Sequence, residues 1–98
     1  MPYDIVFEPD AAEHLQTFSA RDRAIILDQV EVQLTYQPDV ETQHRKRLRP
    51  NPLAPWELHI GEMRVFYDVN AESASVRVIA VGRKEGNRLM IAGEEILL

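Results

Sequence analysis

The chain predicts an α+β fold, with two N-terminal helices packed on an antiparallel sheet that ends in a three-stranded meander. Three observations carry this: an alternating apolar stretch at the N-terminus, a helical repeat through residues 23–36, and three alternating strings, WELHI, MRVFYDV and SVRVIAV, in the second half. With 98 residues and 45% hydrophobic side chains the chain suffices for one core and one domain, spanning residues 1–98.

In order along the chain, Tyr3, Ile5 and Phe7 alternate with Asp4 and Glu8 as in a half-buried strand, and Pro9 suits the first turn of a helix. The spacing of Ala11, Leu15 and Phe18 predicts a short helix over about 9–18. Ser19 with Asp22 resembles an N-cap, and residues 23–36 run without Gly or Pro. There Ile26, Val30 and Leu34 repeat every four residues, with Ile25 and Leu27 widening the apolar stripe, until Pro38 stops the helix. Residues 37–55 hold Pro38, Pro50, Pro52 and Pro55 around a basic cluster, so they form a connection with at most one short edge strand.

Gly61-Glu62 fits a two-residue type II′ hairpin turn, and this sets the register. Ile60 then faces Met63, His59 faces Arg64, Leu58 faces Val65, Glu57 faces Phe66 and Trp56 faces Tyr67. Trp56, Leu58, Ile60, Met63, Val65, Tyr67 and Val69 share the core side, while Glu57, His59, Arg64, Phe66 and Asp68 share a polar surface with one exposed aromatic. The last meander strand ends near Val81-Gly82, and the tail NRLMIAGEEILL fits a short strand or a helix equally well.

The net charge of −5 is unevenly spread: residues 1–42 carry −7 and residues 43–98 carry +2. A polyanion would therefore approach the second half, where Arg45, Lys46, Arg47 and Arg49 cluster; the same run also reads as a solvated edge. No cysteine is present, which excludes a disulfide framework and thiolate metal chemistry but leaves the redox compartment undetermined. No apolar run is long enough to span a membrane and no export signal is visible, so a soluble cytoplasmic protein is expected. His14, His44 and His59 lack metal-ligand spacing, His14 reads as a surface residue of the first helix, and no metal or other cofactor is expected. The serines lack a partner pattern for nucleophilic catalysis. What remains is His59 and Arg64 on the hairpin face, Arg83 and Lys84 after the last meander strand, and the basic run at 45–49. Together they suit a phosphate; alternatively Glu57, His59, Arg64 and Asp68 form a surface ion-pair ladder.

The strings WELHIGEMRVFYDV (56–69) and VIAVGRKEGNRLMIAGEEI (78–96), in this order of elements, resemble the RelE/ParE toxin family of type II toxin–antitoxin systems. The resemblance covers nearly the whole chain. It implies a toxin held by a cognate antitoxin and, in the RelE branch, a ribosome-dependent endoribonuclease that cleaves messenger RNA without metal and stops translation. In the ParE branch it implies a gyrase inhibitor, and a relative acting only through protein binding is a further reading. By this resemblance Arg64 matches the arginine that steadies the scissile phosphate, and Arg83 with Lys84 matches the basic pair after the last strand. The basic positions of the first hairpin strand are Glu57 and His59 here, and a C-terminal tyrosine of the nucleases falls at about Met90. In such a nuclease His59 would move the proton, Arg64, Arg83 and Lys84 would hold the phosphate, and Arg45, Lys46, Arg47 and Arg49 would hold the RNA backbone.

Overall fold

In the computed structural model, which describes residues 1–98, strand β1 (Asp4–Phe7) leads into helix α1 (Pro9–Gln16). Pro9 occupies the first turn, where its missing N–H costs nothing, and Ala11 and Leu15 turn inward. Helix α2 (Ala20–Leu34) starts where the Ser19 hydroxyl accepts the Asp22 N–H at 3.1 Å, and it buries Ile26, Val30 and Leu34. Ile25 and Leu27 do not widen the buried stripe as expected. Both are exposed, because the helix lies on the sheet along a single narrow line of contact.

The remaining strands are β2 (Arg45–Arg47), β3 (Trp56–Ile60), β4 (Met63–Asn70), β5 (Ser75–Glu85), β6 (Arg88–Ile91) and β7 (Glu94–Ile96), hydrogen-bonded in the order β2-β3-β4-β5-β6-β7. All these pairs are antiparallel, whereas β1 lies parallel to β5, opposite residues 75–78. β5 therefore has one long neighbour on one side and shares its other side between β1, opposite residues 75–78, and β6, opposite residues 83–85. Residues 79–82 have no strand on that side. The amide of Val81 donates instead to Nδ1 of His14 at 3.2 Å, so His14 is half-buried and bonded to the sheet rather than a plain surface residue.

The hairpin register follows the Gly61-Glu62 turn as predicted, pair for pair from Ile60–Met63 to Trp56–Tyr67, and Gly61 takes a φ of 59°. The helices cover the side that carries Trp56, Leu58, Ile60, Val65, Tyr67, Val76, Val78 and Val81. Trp56 and Tyr67 stack there with ring centres 5.9 Å apart, and the Tyr67 hydroxyl donates to the Pro38 carbonyl at 2.8 Å. Burial pushes the Tyr67 phenol well above its ordinary range, against the nearby Arg45 charge and with the help of Asp39.

Phe66, expected to be the one exposed aromatic of the other side, is fully buried. A second, smaller core of Ala54, Phe66, Ala80, Leu89 and Ile91 forms there, because the 48–55 loop and the β6–β7 hairpin fold back over that face. The tail is thus strand, with Ala92-Gly93 as its two-residue turn. No helix is long and apolar enough to cross a membrane.

Candidate functional site

Four of the eight predicted site residues meet on the sheet side away from the helices. Register places Lys46 opposite Glu57, His59 opposite Arg64, and Arg64 opposite Gly82, so that Lys84, two residues further along β5, continues the same face. A shallow cleft of about 220 Å³ runs beside them, with Glu57, Lys84, Asn87 and Leu89 among its walls. The larger hollows of the surface lie elsewhere, one of about 470 Å³ being lined by Leu48, Arg49, Pro50, Asn51 and Leu98.

Within the site, a Glu57 carboxylate oxygen contacts His59 Nε2, an arrangement made possible because residues two apart on a strand share a face. Arg64 Nη1 donates to the carbonyls of Gly61 at 2.6 Å and Met63 at 3.0 Å. That fixes the guanidinium at the hairpin turn while its Nε and Nη2 donors make no hydrogen bond within the chain. The ion-pair ladder read as an alternative does not form: Arg64 makes no ion pair, and Asp68 pairs with Arg77 at 3.7 Å instead.

Arg83 stands apart from this group. Between Phe66 and Tyr67 the β4–β5 register shifts, with Phe66 opposite Ala80 and Tyr67 opposite Val78, so Ile79 is an extra residue in β5. This bulge returns Arg83 to the helix side, where its guanidinium lies 4.8 Å over the Phe18 ring and 3.7 Å from the Asp22 carboxylate. Arg83 and Lys84 therefore face opposite sides of the sheet, and the expectation that both serve one phosphate site is corrected accordingly.

The basic run divides too. Arg45 is only 8% exposed, and its side chain donates to the carbonyls of Val40 at 2.9 Å and Gln33 at 2.8 Å. It satisfies a carbonyl of the last turn of α2, where a cation is favoured, and so does not reach an RNA backbone as expected. Arg47 is exposed and lies 5.5 Å from the Trp56 ring centre; Lys46 and Arg49 are exposed as well. Met90 lies opposite Arg83 and so does not lie beside His59 in the ladder. The role of Asn51 was not anticipated from sequence. Its amide donates to the carbonyls of Arg49 and Ala54 and accepts from the amides of Leu53 and Ala54, shaping the loop beside the site. The signal for it was an Asn amid prolines.

No protein-family model matches this sequence, and no curated protein matches it. Solved structures do. Over 86% of this chain and 93% of the other, it is similar to a chain in the RelBE2 toxin–antitoxin complex of Mycobacterium tuberculosis, with a TM-score of 0.75 and 21% identity. A chain of the archaeal RelE–RelB complex from Pyrococcus horikoshii superposes with a TM-score of 0.69 at 18% identity, over 89% of this chain and 99% of that one. The isolated RelE toxin of E. coli gives a TM-score of 0.69 at 23% identity, covering 87% of each. This is a RelE-fold protein. Two helices on a predominantly antiparallel sheet, the arrangement expected from the strings at 56–69 and 78–96, is the RelE architecture. On the RelE fold of this chain the face with His59 and Arg64 is open, whereas Arg45 and Arg83 hold the helices.

Proposed function

We propose that this protein is the toxin of a type II toxin–antitoxin pair and that it cuts messenger RNA on the ribosome, held in check by a cognate antitoxin. The first part is supported by the neighbours of the fold, two of which are complexes of a RelE toxin with its RelB partner. The cutting reading rests on one observation, the pairing of His59 with Arg64 across β3 and β4, with Lys46 and Lys84 on the same face.

The chemistry is transesterification. A ribose 2′-oxygen attacks the adjacent phosphorus, His59 takes its proton, the new P–O2′ bond forms and the P–O5′ bond breaks, the leaving oxygen gaining a proton from water. Histidine is suited to this work near neutrality, and the free donors of Arg64 stabilise the charge that builds on the phosphoryl oxygens. Lys46 and Arg49, both exposed, hold flanking phosphates in contacts that carry no sequence information, whereas Arg47, opposite Trp56 and over its ring, faces the helix side and is left out of this role.

A second reading, a gyrase inhibitor or a toxin acting only by binding protein, is favoured by the loss of Arg45 and Arg83 from the open face and by the negative charge of Glu57 there. Induction of the chain in bacteria separates the two. Cut messages with falling translation support the nuclease; DNA damage signalling with altered supercoiling and intact messages supports the second reading. Co-expression with the small protein encoded beside it tests the antitoxin: a stable complex and relief of toxicity are expected.

A further inference from the structure

The contact between Glu57 and His59 distinguishes the two nitrogens of the imidazole. A carboxylate has only acceptors to offer, so the nitrogen it touches, Nε2, must be the one that carries hydrogen. In the neutral ring Nδ1 is then the basic atom. Nothing in the chain donates to Nδ1 of His59, in contrast to His14, whose Nδ1 is taken by the Val81 amide. The His59 side chain is 27% exposed and that of Glu57 14%, so the carboxylate sits behind the ring while the ring itself reaches solvent.

We propose that Glu57 is a positioning residue that holds His59 in the Nε2–H tautomer, making Nδ1 the atom that moves the proton. The proposal rests on the nuclease reading above. It gives a purpose to the acidic residue that otherwise works against phosphate binding on this face. When Nδ1 takes the proton of the 2′-hydroxyl, the ring becomes an imidazolium with both nitrogens protonated, and the Glu57 carboxylate stabilises it. The carboxylate contacts Nε2 and so faces the edge of the ring away from Nδ1. Lys46 and Lys84 share the surface with Glu57 without pairing with it, so its carboxylate is committed to the histidine.

The test joins a spectroscopic readout with a kinetic one. Nitrogen-15 NMR of the His59 ring in the full-length protein, above the pH at which the ring is protonated, reports the tautomer with no need for activity. The wild type is expected to show the Nε2–H form, Glu57→Gln to retain it through the amide carbonyl, and Glu57→Ala to lose it. In a message-cleavage assay Glu57→Ala should lower kcat about 10- to 100-fold, as loss of an orienting partner commonly does, with KM nearly unchanged, and Glu57→Gln should recover part of that loss. An Nδ1–H wild type, or an unchanged tautomer in Glu57→Ala, overturns the proposal. A kcat untouched by Glu57→Ala overturns it as well. A wild type that cuts no RNA refutes the nuclease reading on its own, and the proton-transfer role given to Nδ1 falls with it, while the tautomer spectra still show whether Glu57 orients the ring.

Discussion

Gly82 lies directly under the main-chain carbonyl of Met90: a Cβ at residue 82 would fall 2.5 Å from that oxygen and 2.8 Å from Ile91 Cγ1. Neither neighbour yields cheaply, since one is backbone and the other packs in the second core. Gly82→Ala is expected to cost about 1–3 kcal/mol, the usual range for overpacking, seen as a lower urea midpoint with an unchanged slope. The loss should concentrate in β6 and β7, where amide exchange will speed first.

The turn at Ala92-Gly93 offers the opposite experiment. Both residues have positive φ, 51° and 81°, and the alanine Cβ is disfavoured there. Ala92→Asn, the residue that a type I′ turn prefers at this place, should stabilise the protein by about 0.5–1 kcal/mol in thermal or urea unfolding.

Tyr67 ties stability to alkaline pH. Burial raises its phenol above the unfolded value near 10, so the native state favours the neutral form. Its contribution is complete below about pH 10 and is lost as pH climbs from there toward the folded-state value. Tyr67→Phe should cost about 1 kcal/mol at neutral pH, by leaving the Pro38 carbonyl without its donor. It should also flatten the fall of stability above pH 10 relative to the wild type.

Arg45 and Lys46, adjacent in sequence, are expected to answer differently. Arg45→Ala removes the donor to two carbonyls and should lower stability by about 2 kcal/mol. Lys46→Ala should leave the urea midpoint alone and, under the nuclease reading, weaken RNA binding with a salt slope shallower by about 1.

For the site itself, Arg64→Ala should abolish toxicity with little change in unfolding midpoint, because this arginine bonds only carbonyls at an exposed turn. His59→Ala should slow message cleavage about 100-fold or more. Unchanged cleavage in both variants would move the function away from this face.

How much of this was readable beforehand differs from residue to residue. The hairpin was fully legible, since Gly61-Glu62 pins the register and alternation does the rest, which is why His59 and Arg64 fall where expected. Phe66 was not, for what covers it comes from Ala54, Leu89 and Ile91, distant in the chain and joined only by the fold. Arg45 looked like its neighbours because a cation's burial depends on carbonyls that only the end of α2 supplies. The separation of Arg83 from Lys84 was hidden for another reason: a bulge at Ile79 leaves no mark in a string as uniformly apolar as VIAV.

That one extra residue works as a phase shift. Everything after Ile79 appears on the side opposite to where an unbroken strand would show it, so the string Gly-Arg-Lys delivers lysine to the open face and arginine to the helices. Had the strand run straight, the same letters would deliver the forked, bidentate cation to the open face and turn the point charge to the helices. Two chains of this shape can therefore share the motif and differ in the chemistry they present. Loss or gain of a single codon upstream of the motif exchanges one for the other without altering either residue.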